Sequence, residues 1–382
     1  MKTTKQIIIA ARSVSIAILS QLLLLTSCQQ NDELQRNPSQ GVPLRLTSGI
    51  STVQTRAFDS SWENTDEIGV FTVTTGGTSA SNITYSGTQR DENIKYKIDG
   101  DVFSGASTSI ETYDGSNYDF KSFVPQGNQI YLPANGSDVD VYAYYPWTMG
   151  VTASAPLSIA IPTTQTIANQ KTADVLTAKA TASTDKKPDP ATDYYPINID
   201  HTTAQLTFSH IMSKVLVRVV VGEGYGANDL SGTNISSVVL SGQPTAATFA
   251  PVTQTLTITA GSDNVTMAEL ASTDVDYVSK ATVALTENAT PTEQDVIHNY
   301  RAIILPNTGT TGTNPVTNGT QRQINFNVGS ITYSYNITQN FQPGYQTVFT
   351  IILAANEVTV SAAITPWTAN LVQPDKPLIP DP

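Results

Sequence analysis

Apolar residues in this chain recur at every second position or in short β-branched and aromatic runs, and no long segment keeps them at helical spacing. Leu44, Leu46, Ile50 and Thr52 share one parity of an extended segment, with Ser48 as the gap, which predicts a first strand over Leu44–Thr52 with one face on a core. Further strands are predicted over Ile68–Val73, Val139–Tyr145, Gln205–Phe208, Lys214–Val221, Ser236–Leu240, Thr255–Thr259, Tyr300–Leu305, Gln323–Val328 and Thr347–Leu353. In the last such stretch Val358, Val360, Ala362 and Ile364 alternate with Thr359, Ser361 and Ala363. Turn-forming clusters such as Gly76-Gly77, Gly115-Ser116-Asn117 and Pro133 to Ser137 separate the runs. Many short strands joined by turns predict an all-β, mainly antiparallel protein of the sandwich or barrel type, not βαβ units.

The first residues follow a different pattern. Lys2, Lys5 and Arg12 precede an apolar stretch from Val14 to Leu25, interrupted by Ser15, Ser20 and Gln21, and then Leu25-Thr26-Ser27-Cys28. The order of charge, apolar run and small residues is that of a signal peptide over residues 1–27. The run is too short and too interrupted to cross a bilayer core of roughly 30 Å. Cys28 is the one cysteine in the chain, and it stands where a lipoprotein signal peptidase leaves a lipidated first residue. An outer-membrane lipid anchor at Cys28 is therefore expected, and no disulfide.

Starting at Cys28, 355 residues remain of 382, a length that suggests two domains. The segment Thr181 to Thr192 has no bulky apolar residue and marks the expected boundary, giving domains 57–192 and 193–370 and a Pro-containing tail over 371–382. The tail is expected to be poorly ordered. The formal charge is −12, and losing three basic residues with the leader makes it −15. That charge repels nucleic acid, and no basic stripe interleaved with aromatics offsets it.

Signatures of chemistry are sparse. The histidines, His201, His210 and His298, are too few and wrongly spaced for the usual zinc sites. Neither a Gly-x-Ser-x-Gly elbow nor a Gly-x-x-x-x-Gly-Lys loop occurs. Asp99-Gly100-Asp101 and Ser137-Asp138-Val139-Asp140 match no complete calcium loop and read as solvated turns. No metal, cofactor or catalytic residue is therefore assigned. Scattered carboxylates leave a glycoside hydrolase open as a third reading. Tyr142, Tyr144, Tyr145 and Trp147 admit a sugar-stacking platform, but Tyr142 and Tyr144 share a strand parity and read as core.

Several blocks in order carry a resemblance. They are Thr55-Arg56-Ala57-Phe58 with Trp62 and Asp66-Glu67-Ile68-Gly69-Val70-Phe71, then Ala143-Tyr144-Tyr145-Pro146 and Ala173-Asp174-Val175-Leu176-Thr177-Ala178. Leu206, Phe208, His210, Ser213 and Lys214 follow, then Ile303-Ile304-Leu305-Pro306, Phe341-Gln342-Pro343-Gly344-Tyr345 and Ile364-Thr365-Pro366-Trp367. Together they resemble the Bacteroides-type fimbrillin-like (Mfa-like) proteins, subunits of type V pili. The acidic cluster Gln29-Gln30-Asn31-Asp32-Glu33 after Cys28 likewise resembles an export tag of Bacteroidetes surface lipoproteins, and reads equally as a solvated tether.

The resemblance implies two transthyretin-like β-sandwich domains of Greek-key type and a structural, non-enzymatic role in a fimbrium. It implies a lipid-anchored propeptide over residues 28–56, cut by an arginine-specific protease after Arg56 and before Ala57, with Arg45 as runner-up. The strand lost would be Leu44–Thr52. The strand donated to another pilus subunit would come from Thr347 to Ile364, with Val358, Val360, Ala362 and Ile364 filling the partner's groove. The alternative is a surface glycan-binding lipoprotein of a polysaccharide-uptake system, which needs no cleavage.

Overall fold

The structure, a computed structural model, describes residues 41–49, 62, 65–99, 121–187, 193–223, 235–260, 262–285, 290–307, 316–317, 320–329, 331–354 and 358–367. The leader over 1–27, Cys28, Arg56, Ala57 and the tail over 371–382 lie outside them. The described residues from Val42 onward belong to one compact unit. The expectation of an all-β, mainly antiparallel protein holds, with Ile167–Ala173 (α1) as the one α-helix among the described residues.

The first sheet is built from Arg45–Gly49 (β1), Glu67–Thr74 (β2), Ile94–Asp99 (β3), Lys121–Pro125 (β4), Val139–Tyr145 (β5), Leu176–Ala180 (β6), Thr203–Thr207 (β7) and Ser209–His210 (β8). Its spatial order is β7-β1-β4-β3-β2-β5-β6-β8, antiparallel throughout except for the parallel pair β7–β1. Ser183, just past β6, bridges antiparallel to Ala204 in β7, so the sheet curls until its two ends meet. This sheet therefore runs past residue 192 as far as His210.

Strands β2 and β5 are buried on both faces, which explains their near-continuous apolar sequences. On one face Ile68, Val70, Val141, Ala143 and Tyr145 join Leu44, Leu46, Trp62, Phe123 and Phe208 in one core. On the other face Phe71, Val73, Tyr142 and Tyr144 belong to a second core shared with the later strands. Alternation along each strand thus divides one sheet between two cores.

The second core lies largely between two later sheets. One is centred on Ser213–Val221 (β9), Thr292–Ile304 (β10), Tyr345–Leu353 (β11) and Val358–Pro366 (β12), in the order β10-β9-β11-β12. Pairs β9–β10 and β11–β12 are antiparallel, and β9–β11 is parallel. Facing it is a four-stranded sheet over Ile235–Gln243, Asp263–Thr266, Gln323–Val328 and Ile331–Asn336. Leu157–Ala160 pairs with Ala246–Ala250 in a third, smaller sheet, so the chain from the first half crosses into the second.

The helix α1 is short but well specified. Thr166 caps it by accepting from the Asn169 amide, and Asn169 returns a bond to the Thr166 amide. Gln165 and Gln170 then supply to β10 what a neighbouring strand would. Gln165 bonds both the amide (2.9 Å) and the carbonyl (2.6 Å) of Ile303, and Gln170 donates to the Arg301 carbonyl (2.8 Å). The short strand Ala268–Glu269 pairs with Tyr300 and Arg301, and the two glutamines satisfy the buried backbone groups beside and beyond it.

Candidate functional site

Strand β1 is an interior strand made from an early, short piece of chain. Its partners come from far along the sequence: Leu46 lies opposite Ala204 in β7 and Phe123 in β4, and Thr47 opposite Gln205 and Ser122. Leu44 and Leu46 point into the first core and are 3% and 2% exposed. The Leu44 and Arg45 amides donate to the carbonyls of Ile130 and Thr202, each at 3.0 Å. Removing β1 would therefore leave two facing unpaired strand edges over an apolar slot, the arrangement that an added strand satisfies.

The two arginines singled out as cleavage positions differ. Arg45 exposes its side chain but opens β1, opposite Thr203 in β7 and directly before Leu46, which has a strand on both sides. A protease needs its substrate extended and unpaired, so Arg45 is shielded while β1 remains in place. Arg56, with Ala57, lies outside the described residues, in the segment of 50–61 that joins β1 to the rest of the chain.

At the other end, Thr347–Leu353 lies within β11, between β9 and β12, with Phe349, Ile351 and Leu353 buried. That part of the expected donor is core. What remains is β12, in full antiparallel register with β11 from Tyr345 opposite Pro366 to Leu353 opposite Val358. It is the end strand of its sheet, and seven of its nine residues are exposed. Val358 and Val360 are half-buried, while Ala362 and Ile364, on the same parity, are exposed.

Burial returns at Trp367, directly after β12. The ring stacks on the His210 imidazole with centroids 3.7 Å apart and planes within 4°. Lys214 Nζ lies 5.1 Å from the ring centroid. His210 Nδ1 is 2.8 Å from Asp174 Oδ1, an ion-pair geometry fully enclosed by protein. Lys214 donates to both oxygens of Asp276, at 3.0 and 2.9 Å, and Arg301 donates to Asp276 Oδ2 at 2.9 Å and to Asp274 Oδ1 at 3.0 Å. Burial alone would raise the Asp276 carboxyl, but the two cations hold it below the ordinary carboxylate value. Sequence reading picked out His210 and Lys214, yet Asp276 and Arg301 carry no local motif and become partners only through folding.

Tyr142, Tyr144 and Tyr145 are buried, and Trp147 is half-buried beneath the Lys95 ammonium, 3.9 Å from its ring centroid. The aromatics on which a sugar platform depended are thus packing residues. His201 and His298 pair with Asp185 and Glu269. No group of three or more His, Cys, Asp or Glu that could hold a metal ion occurs among the described residues. No helix among them is long and apolar enough to cross a membrane.

The fimbrillin-like family profile matches residues 55–367, most of the chain. The chain belongs to the fimbrillin-like family. One relative, named as a candidate fimbrium subunit, Fim1C, of Bacteroides uniformis, is 28% identical over 244 residues. That alignment covers 62% of this chain and 64% of the relative, so it spans less than two thirds of the relative's length. Among solved structures, a candidate cell adhesion protein from Bacteroides uniformis matches with a TM-score of 0.54 at 20% identity, over 87% of this chain and all of that one. A second, from Bacteroides ovatus, matches with a TM-score of 0.51 at 17% identity, over 85% and 98%. These two likenesses share the fold. The family match begins at Thr55, so β1 lies ahead of it, while β12 and Trp367 close it.

Proposed function

We propose that this fimbrillin-like chain is a structural subunit of a cell-surface fimbrium that supports adhesion and assembles by strand exchange, without catalysis. The precursor is exported and lipidated at Cys28, which places it on the outer membrane. An arginine-specific protease cuts after Arg56, β1 leaves with the propeptide, and a strand of the β12 type from a neighbouring subunit fills the slot between β7 and β4. The subunit that results carries the halves 57–192 and 193–370, the second lending Thr203–Thr207 and Ser209–His210 to the first sheet, with 371–382 as a tail.

One observation carries this reading. Strand β1 occupies an interior position, next to the end strand β7, yet the chain leads from it to the rest of the molecule only through the segment containing Arg56. A single cut there leaves β1 held by main-chain hydrogen bonds and two leucines. Its pairing with β7 is parallel, the slightly weaker geometry per residue. A nine-residue β12 offers more ladder positions than the five residues of β1. Its alternating Val358, Val360, Ala362 and Ile364 match the alternation by which Leu44 and Leu46 fill the slot.

The test is an Arg56→Ala variant expressed on the cell surface beside wild type and Arg45→Ala. The reading expects Arg56→Ala to remain a full-length lipoprotein and to lose the ladder of linked subunits on an unboiled gel, with Arg45→Ala behaving as wild type. A ladder unchanged in both variants would reject cleavage-triggered assembly.

A further inference from the structure

Strand β12 is anchored by its own side chains chiefly at its start, where Val358 and Val360 pack on the second core. One edge bonds to β11, the other carries no strand among the described residues, and seven of nine side chains face solvent. Hydrogen bonds at a sheet edge contribute little net stability because water competes for the same groups. Beyond the strand, by contrast, one indole is almost wholly enclosed: Trp367 is 3% exposed. A buried aromatic of this kind removes roughly 150–250 Å² from water.

The enclosure is built by elements that do not belong to the hairpin. His210, in β8 of the first sheet, supplies the stacking surface, and its Nδ1 contact with Asp174 fixes the imidazole orientation. Lys214, in β9, brings its ammonium within cation–π range of the ring, and Asp276 holds that ammonium in place. The main chain closes the seat: the Trp367 amide donates to the Gly344 carbonyl at 2.8 Å, and the Gly344 amide donates to the Met212 carbonyl at 2.8 Å. Gly344 has φ +71, and a Cβ there would lie 3.3 Å from the His210 carbonyl oxygen. Only a glycine lets the turn before β11 pass so close to β8.

We infer that Trp367 is the latch that retains β12 on its own subunit, and that the seat formed by His210, Lys214 and Gly344 sets how readily the strand detaches. Strand and latch are distinct in kind. The strand is mostly exposed and holds by edge hydrogen bonds and, at its start, by Val358 and Val360, whereas the latch is one large side chain at its other end, so a single rotation of Trp367 out of its seat uncouples that end. The biological consequence rests on β12 being the donated strand, but the latch itself is a property of the single subunit. Trp367 is thus a positioning residue for strand release.

The test is hydrogen exchange on the full-length monomer, comparing wild type, Trp367→Ala and Trp367→Phe, with circular dichroism as the check on folding. The latch predicts that β12 amides bonded to β11 exchange at least tenfold faster in Trp367→Ala and by an intermediate factor in Trp367→Phe, while β9 and β10 keep their protection. Unchanged β12 exchange in a folded Trp367→Ala protein overturns it. Should the alanine variant not fold, Trp367→Phe carries the test alone, and wild-type exchange in that variant overturns the latch. Faster β12 exchange with no change in the subunit ladder upholds the latch and rejects β12 as the donated strand.

Discussion

Lys214 Nζ lies 2.9 Å from Asp276 Oδ2, and both side chains are 1% exposed. Arg301 shares the same carboxylate and also pairs with Asp274, so two cations from β9 and β10 meet two anions in a region largely sealed from water. Taking one partner away leaves an uncompensated buried charge, which costs far more than the net worth of the pair. Asp276→Asn is therefore expected to destabilise the protein by about 3–5 kcal/mol, read as a fall in the urea midpoint with an unchanged slope. A loss under about 1 kcal/mol would mean that water reaches the pair.

The same carboxylate gives the pH dependence a sign. Its folded value lies below its ordinary value of 3.8, so the unfolded chain binds a proton first as the pH falls. The stabilisation is full above about pH 5 and is lost progressively as the pH falls through 3.8 toward the folded value. Thermal midpoints measured between pH 6 and pH 3 are expected to drop in wild type. The drop should be shallower in Asp276→Asn.

Gly69 in β2 lies under the Tyr144 ring. A Cβ there would overlap Tyr144 Cε1 and crowd Asn93 Oδ1, while the Tyr144 hydroxyl is fixed by donating to Asn93 Oδ1 at 2.8 Å. Gly69→Ala forces that ring aside and is expected to cost about 1–3 kcal/mol. A double variant with Tyr144→Phe, which frees the ring from Asn93, is expected to recover part of the loss if the clash is the cause. Calorimetry on the three proteins checks this.

Ile364 is 40% exposed in the single subunit, on the parity expected to enter a partner. Ile364→Asp should leave the thermal midpoint within a degree or two, because exposed substitutions shift stability by roughly 0.5 kcal/mol or less. It should also abolish the subunit ladder, because a charge cannot enter an apolar slot unpaired. Thr365→Asp, on the opposite parity, is expected to assemble normally.

Much of this architecture is legible in sequence because β2, β5, β9 and β11 are dense in β-branched and aromatic residues. Leu44 and Leu46 marked β1 through parity alone. Ile94–Asp99 escaped notice because lysines alternate with Ile94, Tyr96 and Ile98, and an Asp-Glu-Asn turn precedes it. The helix α1 is too short for periodicity to register, although Thr166 and Asn169 stand at capping-box spacing. Interleaving of the halves, through Leu157–Ala160 pairing with Ala246–Ala250, depends on long-range register that no local pattern encodes. The Trp367 seat was equally invisible: His210, Asp174, Lys214 and Asp276 lie 36 to 62 residues from their partners.

The central claim, that β1 is removed so that another subunit's strand can replace it, is tested most directly on protein recovered from the cell surface. Its N-terminal sequence and its migration on an unboiled gel are read from the same sample. The account predicts a chain beginning at Ala57 and a ladder of linked subunits. A lipid-blocked chain beginning at Cys28 and running as a single monomer band would contradict it.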